Sequence, residues 1–162
     1  MADLLIAGTG EHEARLRELA RGVDNVKFLG RVDGRTLSAL YRDAVALIVP
    51  SVCYETFGII LIEAFQQGTP VIARRIGPFP EIVEASGGGL LFEGTTDLLE
   101  AMRALQTDPA KRAELAERAR RGFDENWSER AVVPRYLDLI GRTAERKGNR
   151  GLARRVATGG TQ

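Results

Sequence analysis

The sequence predicts an α/β domain: one three-layer unit on a five-stranded parallel sheet, with extra helices at its C-terminal end. Three observations carry this. Short apolar runs alternate with amphipathic stretches through most of the chain, the pattern of strands covered by helices on both faces. Glycine is frequent, 18 of 162 residues, and aromatics make up only 6%, which suits Gly-rich turns between strands and helices. Beyond the fifth apolar run, only helical patterning follows.

Leu4-Leu5-Ile6-Ala7 reads as a buried parallel strand, ended by the tight turn Gly8-Thr9-Gly10. Glu11 to Gly22 reads as an amphipathic helix with Leu16, Leu19 and Ala20 inward and Gly22 as its stop. Val26 to Gly30 is a second strand, and Gly34 to Asp43 a second helix with Leu37, Leu40 and Tyr41 inward. Val45 to Val49 is a third strand, broken at Pro50-Ser51. A helix opened by Gly58 runs to a stop at Gly68, and Pro70 to Arg74 is a fourth strand. Gly77-Pro78-Phe79-Pro80-Glu81 turns into a short helix, with Pro80 suited to a first turn. Gly88 to Phe92 is the fifth strand. Three helices follow, about Asp97 to Gln106, Pro109 to Asp124 and Ser128 to Arg142. Asp108-Pro109 and Ser128 are good helix starts. The domain is expected over residues 1–141; residues 142–162, rich in Arg, Lys and Gly, read as a basic, mobile tail.

The length fits one domain with a real core. A net charge of +1 gives no argument for nucleic acid or an acidic partner. Cys53 is the one cysteine, so no internal disulfide and no metal-type Cys/His cluster is expected. No stretch approaches the roughly 20 apolar residues of a membrane-spanning helix, and Met1-Ala2-Asp3 leads straight into a strand. The expected location is the cytoplasm, with a peripheral membrane position left open.

The stretch Tyr54 to Phe65 carries the most chemistry. Glu55 lies in a loop, and Glu63 lies one to two turns into a helix whose other residues are almost all apolar. Such a helix is expected to be buried, and a carboxylate on it needs a partner. One reading pairs Glu63 with an Arg. The other makes the helix N-terminus a phosphate site and Glu63 the grip on the hydroxyls of an attached sugar.

Five segments, in order, resemble a known family. They are Ile6 to Gly10, Phe28 to Val32, Pro50-Ser51 leading to Glu55-Thr56-Phe57-Gly58, Glu63 to Ala73, and Gly77 to Val83. Asn126-Trp127-Ser128 with Tyr136 is similar to a closing helix. Together they resemble the C-terminal, nucleotide-sugar-binding half of GT-B glycosyltransferases of the large retaining group known as family 4 or group 1. The likeness spans roughly Leu4 to Ile140.

The resemblance implies a Rossmann-like sheet. Its parent strand order is 3-2-1-4-5-6; without the parent's first strand, closing the gap gives 2-1-3-4-5 here, with a crevice between the first and third strands. It implies that Glu63 binds the donor ribose and that Glu55, the candidate catalytic residue, lies near the donor sugar or phosphate. Capping a neighbouring helix is the alternative for Glu55. Backbone amides at Gly58, Ile59 and Ile60 would meet the diphosphate, where a helix end offers free N–H groups, with Thr56 and Phe57 beside them. Gly8 and Gly10 would line the crevice, and Arg31 and Val32 would border the base. Arg75 is a possible phosphate ligand, or else the partner of an acidic neighbour. His12 is expected to be solvated.

The implied reaction transfers a glycosyl group from an NDP-sugar, the donor substrate, with no metal, no cofactor and no assigned protein nucleophile. Family members place an acceptor-binding N-terminal domain, a strand, and phosphate-binding Arg and Lys residues ahead of the segment matching Leu4. The expected partners are thus a nucleotide-sugar donor and an acceptor-binding domain or chain, with no nucleic acid and no transmembrane segment; the isolated chain is expected to be inactive. A non-catalytic nucleotide-sugar-binding module and a sugar-nucleotide epimerase-like protein are the alternatives.

Overall fold

A computed structural model describes residues 2–159. The elements run β1 (Leu4–Ala7), α1 (Glu13–Leu19), β2 (Val26–Gly30), α2 (Gly34–Asp43), β3 (Leu47–Val49), α3 (Ile59–Gln66), β4 (Val71–Arg74), α4 (Phe79–Ser86), β5 (Gly89–Phe92), α5 (Thr95–Thr107), α6 (Pro109–Asn126), α7 (Glu129–Arg146) and α8 (Arg150–Gly159). Every strand pairing is parallel, so the α/β reading holds, with the expected order of elements.

The body of the molecule is built on β4. Val71, Ile72 and Ala73 are all buried, because β4 lies between β3 and β5 and is covered on both faces. Its side chains alternate. Val71 and Ala73 join one core with Leu61, Ala64 and Phe65 of α3, Phe79, Ile82 and Val83 of α4, and Ala119 of α6. Ile72 faces a second core, with Phe92, Ala101, Leu105 and Leu115. Trp127, at the end of α6, sets its ring 6.0 Å from that of Phe65. Gly122 lets α6 lie against α4: a Cβ there would stand 2.6 Å from the Ser86 Cα. The helix starts follow local chemistry. The side chains of Asp33, Asp108 and Ser128 accept hydrogen bonds from the N–H groups of Thr36, Lys111 and Ala131.

The structure departs from expectation in three places. First, the five strands do not form one sheet with order 2-1-3-4-5. They form a two-stranded sheet, β1-β2, and a three-stranded sheet, β3-β4-β5. No strand pairing joins β1 to β3 among the described residues. Second, α1 is shorter than expected and does not bury its apolar face; Leu16 is 44% and Leu19 70% exposed. A two-stranded sheet gives α1 a narrow platform, over which the Arg17 guanidinium lies on the Phe28 ring.

Third, the stretch expected to be a mobile tail is described as two helices, the end of α7 and α8, joined by a turn at residues 147–149. α7 continues past Arg142, burying Ala144, and stops at Gly148, which takes φ +72°. Asn149 then caps α8 by accepting from the Leu152 N–H at 3.1 Å. α8 folds back on α7, bringing Val156 to the space beside Gly141. Residues 160–162 of the expected tail lie outside the described residues. Among the described residues, no helix is long and apolar enough to cross a membrane.

Candidate functional site

The loop from residue 50 to 58 leaves the C-terminal end of β3 and feeds α3. Its floor is fixed by Arg74, at the end of β4. The Arg74 Nε donates to the Pro50 carbonyl at 3.4 Å and its Nη1 to the Glu93 carbonyl at 3.0 Å. The guanidinium also stacks over the Phe92 ring. One side chain thus ties together the carboxyl ends of β3, β4 and β5.

Gly58 is the N-cap of α3, with φ +74° and ψ +38°. This is the left-handed region, open at little cost only to glycine. A Cβ here would lie 3.0 Å from Ile82 Cδ1 and 3.1 Å from Phe79 Cδ1. The space beside Gly58 is therefore filled by the core. Glycine is needed here for the turn and for packing. Gly77 supports the same loop from the other side, since a Cβ there would stand 3.6 Å from the Glu55 backbone.

α3 is not buried all round. Leu61, Ile62, Ala64 and Phe65 face the core, but Ile59 and Ile60 are 61% and 37% exposed, and Glu63 is exposed with them. The spacing explains this: 59, 60 and 63 share one face of the helix. Among the described residues, Glu63 has no ion pair with an Arg. Its partner is the Tyr41 hydroxyl, whose Oη donates to Glu63 Oε2 at 3.5 Å. Tyr41 is buried, and its main-chain carbonyl accepts a 2.6 Å bond from Thr69 Oγ1. Burial first, and the neighbouring Glu63 charge second, push the Tyr41 phenol up to about 12. It therefore stays a proton donor at neutral pH beside one carboxylate oxygen of the exposed Glu63. The first amides of α3, at Ile59 and Ile60, have no intrahelical acceptor, and no side chain caps the helix.

Glu55, Thr56 and Phe57 are exposed beside this helix end. Arg75 stands in ion pairs with Glu84 at 3.6 Å and Glu93 at 3.5 Å. Gly8, Gly10, Arg31 and Val32 belong to the β1-β2 unit, where the Gly8 N–H bonds the Gly30 carbonyl. Among the described residues, no hydrogen bond links residues 2–32 to the loop carrying Glu55. The structure thus brings together Glu55 to Glu63, while the Gly8 turn and Arg31 remain on a separate sheet. His12 is exposed, 3.7 Å from Glu11. Sequence reasoning placed Tyr41 inward but missed its link to Glu63; the inward, late-helix position of a tyrosine was the only signal. The roles of Arg74 and Gly77 as supports had none.

Comparison with known proteins now bears on this arrangement. Residues 2–122 match the model of the family described as glycosyl transferases group 1. The chain is 34% identical over 148 residues to a GDP-mannose-dependent monoacylated alpha-(1-6)-phosphatidylinositol monomannoside mannosyltransferase of Corynebacterium glutamicum, covering 86% of this chain and 39% of that protein. It is 34% identical over 131 residues to a D-inositol 3-phosphate glycosyltransferase of Pseudarthrobacter chlorophenolicus, covering 77% of this chain and 31% of that one. Among solved structures, sucrose-phosphate synthase from Thermosynechococcus elongatus superposes with a TM-score of 0.75 at 28% identity, over 87% of this chain and 38% of the other. The chain thus spans less than two fifths of each of these proteins. With the parallel α/β body, the ordered segments and the family match in agreement, the chain belongs to the group 1 glycosyl transferases, which share the GT-B fold.

Proposed function

We propose that this chain is the donor-binding part of a retaining glycosyltransferase, holding an NDP-sugar whose glycosyl group passes to an acceptor bound elsewhere. The observation that carries this is the pairing, on one exposed helix face, of free amides at Ile59 and Ile60 with a carboxylate at Glu63. A diphosphate suits the first, because a helix N-terminus carries unsatisfied N–H groups and partial positive charge. A vicinal diol suits the second, because a carboxylate accepts two hydrogen bonds at once. Ile59 and Glu63 are separated by about 6 Å of helical rise, a span that one nucleotide bridges from phosphate to ribose. The Tyr41 hydroxyl donates to Glu63 Oε2 at 3.5 Å, and any restraint it puts on the carboxylate would lower the cost of ordering it on binding.

In transfer, negative charge develops on the departing diphosphate, and fixed dipoles at the α3 terminus stabilise it. Glu55, one loop away from that terminus, takes the position nearest the sugar. Relatives support a nucleotide-sugar donor: one carries GDP-mannose in its name.

The test is calorimetric titration of the chain with UDP-, GDP- and ADP-sugars. A helix terminus contributes only about 0.3–2 kcal/mol to anion binding. The expected dissociation constant is therefore on the order of 0.1–1 mM, roughly −5.5 to −4 kcal/mol. Glu63→Gln is expected to weaken binding by about 1–3 kcal/mol. No binding of any of the three donor classes, or equal affinity in Glu63→Gln, rejects the proposed site.

A further inference from the structure

We propose that the α7-α8 hairpin is a docking surface for an anionic phospholipid membrane. The exposed apolar stripe of α7 enters the headgroup layer, and the basic residues beside it meet lipid phosphates. Charge distribution is the first observation. Residues 142–155 hold Arg142, Arg146, Lys147, Arg150, Arg154 and Arg155 against Glu145 alone, six positive charges to one negative, a net of +5. The whole chain carries +1, so the remaining residues carry −4. A nearly neutral total thus hides a strongly basic end on an acidic body, and such asymmetry points to an anionic surface. All six of these basic residues are exposed.

The second observation is an apolar stripe on the same hairpin. Val132, Tyr136 and Leu139 are 43%, 62% and 49% exposed, and Val133 beside them is 42% exposed. Positions 132, 136 and 139 recur at helical spacing and share one face of α7. α8 does not cover that face. It packs on the opposite side, where Pro134, Leu137 and Gly141 of α7 line a groove with Ala153 and Val156 of α8. By the same helical count, Arg135, Arg142 and Arg146 run along one flank of the stripe, within about 80° of Val132, and Lys147 lies on the other flank. Arg142 keeps an ion pair with Asp138 at 3.0 Å, and Arg135 donates to the Glu125 carbonyl at 3.3 Å; both remain exposed. Of the hairpin's acidic residues, Asp138 and Glu145 line the groove on the α8 side. Glu129 stands in the first turn of α7, before the stripe begins.

The combination selects a lipid surface over other anionic partners. A helix lying in a membrane interface buries an apolar face of this kind, with Lys and Arg alongside it. A tyrosine suits that boundary, with its ring at the acyl edge and its hydroxyl among the headgroups. A nucleic-acid backbone would use the cations but leave Val132 and Leu139 in water. A second copy docked through the same stripe would set the Arg flank of one chain near that of the other, like charge against like. The acidic remainder is repelled by the lipid surface that attracts the hairpin, so the molecule's own field turns the hairpin towards it. Among the described residues no helix is long and apolar enough to cross a membrane, so the hairpin's contact is that of a helix lying on the surface.

Flotation of the 162-residue chain with lipid vesicles tests this. Vesicles of phosphatidylcholine alone are compared with vesicles carrying about one third phosphatidylglycerol, at about 0.15 M salt. The chain is expected to bind the anionic vesicles at least about tenfold more tightly than the neutral ones, and to release as salt rises. Arg146→Gln with Lys147→Gln should weaken that binding at least about tenfold, since each basic residue at an anionic surface contributes about fivefold. Tyr136→Ser with Leu139→Ser should weaken it by about the same factor, through lost apolar burial. All four residues are exposed, so thermal melts should show both variants folded; if the Ser variant does not fold, the Gln variant decides alone. The proposal is overturned if the chain binds neither vesicle or both equally, or if either variant, folded, binds the anionic vesicles as the unaltered chain does. It is overturned equally if a mixed-sequence DNA duplex binds more tightly than the anionic vesicles, or if sedimentation shows a dimer in place of vesicle binding that the Ser variant abolishes.

Discussion

Gly58→Ala isolates what the start of α3 requires. Two costs add. A residue with a Cβ in the left-handed region loses about 1–2 kcal/mol. The new methyl group would also stand 3.0–3.1 Å from Ile82 and Phe79. Phe79 is fully buried and has little room to yield, and overpacking of this kind costs about 1–3 kcal/mol. The expected loss is therefore about 2–5 kcal/mol, a large part of the roughly 5–15 kcal/mol that holds a domain together. Gly68→Ala supplies the control. Gly68 has nearly the same φ, +73°, but a Cβ there would meet nothing nearer than 3.8 Å, so only the strain of about 1–2 kcal/mol should appear. Urea unfolding followed by the fluorescence of Trp127, which packs on Phe65, reads both, without nucleotide present. If Gly58→Ala is no less stable than Gly68→Ala, the core does not fill that space, and the account of the loop is wrong.

Tyr41→Phe should lower nucleotide-sugar affinity by less than Glu63→Gln does, and a calorimetric titration finding no loss at all would show that Tyr41 does not orient Glu63. Arg74→Ala removes the tie between the ends of β3, β4 and β5 and should lower stability by about 1–3 kcal/mol, whereas Arg75→Ala, which breaks two exposed ion pairs, should change it by about 0–1 kcal/mol; thermal melts rank the two, and the reverse order would contradict the geometry. Asp33 and Asp97 accept backbone hydrogen bonds from Thr36 and from Glu93 and Gly94, which hold both carboxyls below their ordinary value of 3.8. Because the folded values are lowered, the stabilisation is present above about pH 3.8 and is lost as pH falls through the folded values. Replacing both by Asn should therefore flatten the acid limb of the stability curve, and an unchanged limb would refute the assignment.

Much of the body was legible because local and global signals agree there. Val71-Ile72-Ala73 is an unbroken apolar run and is buried on both faces. Asp33, Asp108 and Ser128 cap the helices they precede in sequence. The misreadings share a cause, which is that burial depends on neighbours that pattern alone does not supply. Leu16 and Leu19 have inward spacing but no sheet wide enough to receive them. The α3 helix has an almost wholly apolar sequence, yet Ile59, Ile60 and Glu63 share the one face that the core does not cover. The tail was read from its charge, while α8 folds onto α7 with Val156 beside Gly141. At the site, Glu55 and Glu63 stood out as carboxylates in an apolar run. Tyr41 did not, because a bond between α2 and α3 leaves no trace in the spacing of either.

The central claim is that the N-terminus of α3 and Glu63 together hold a nucleotide diphosphate. Backbone amide shifts in a nuclear magnetic resonance titration with UDP and with GDP test it residue by residue. The account predicts the largest shifts at Ile59 and Ile60, saturating with the calorimetric affinity and reduced in Glu63→Gln. Saturable binding that leaves Ile59 and Ile60 unmoved, with the shifts gathered at another part of the fold, would contradict it.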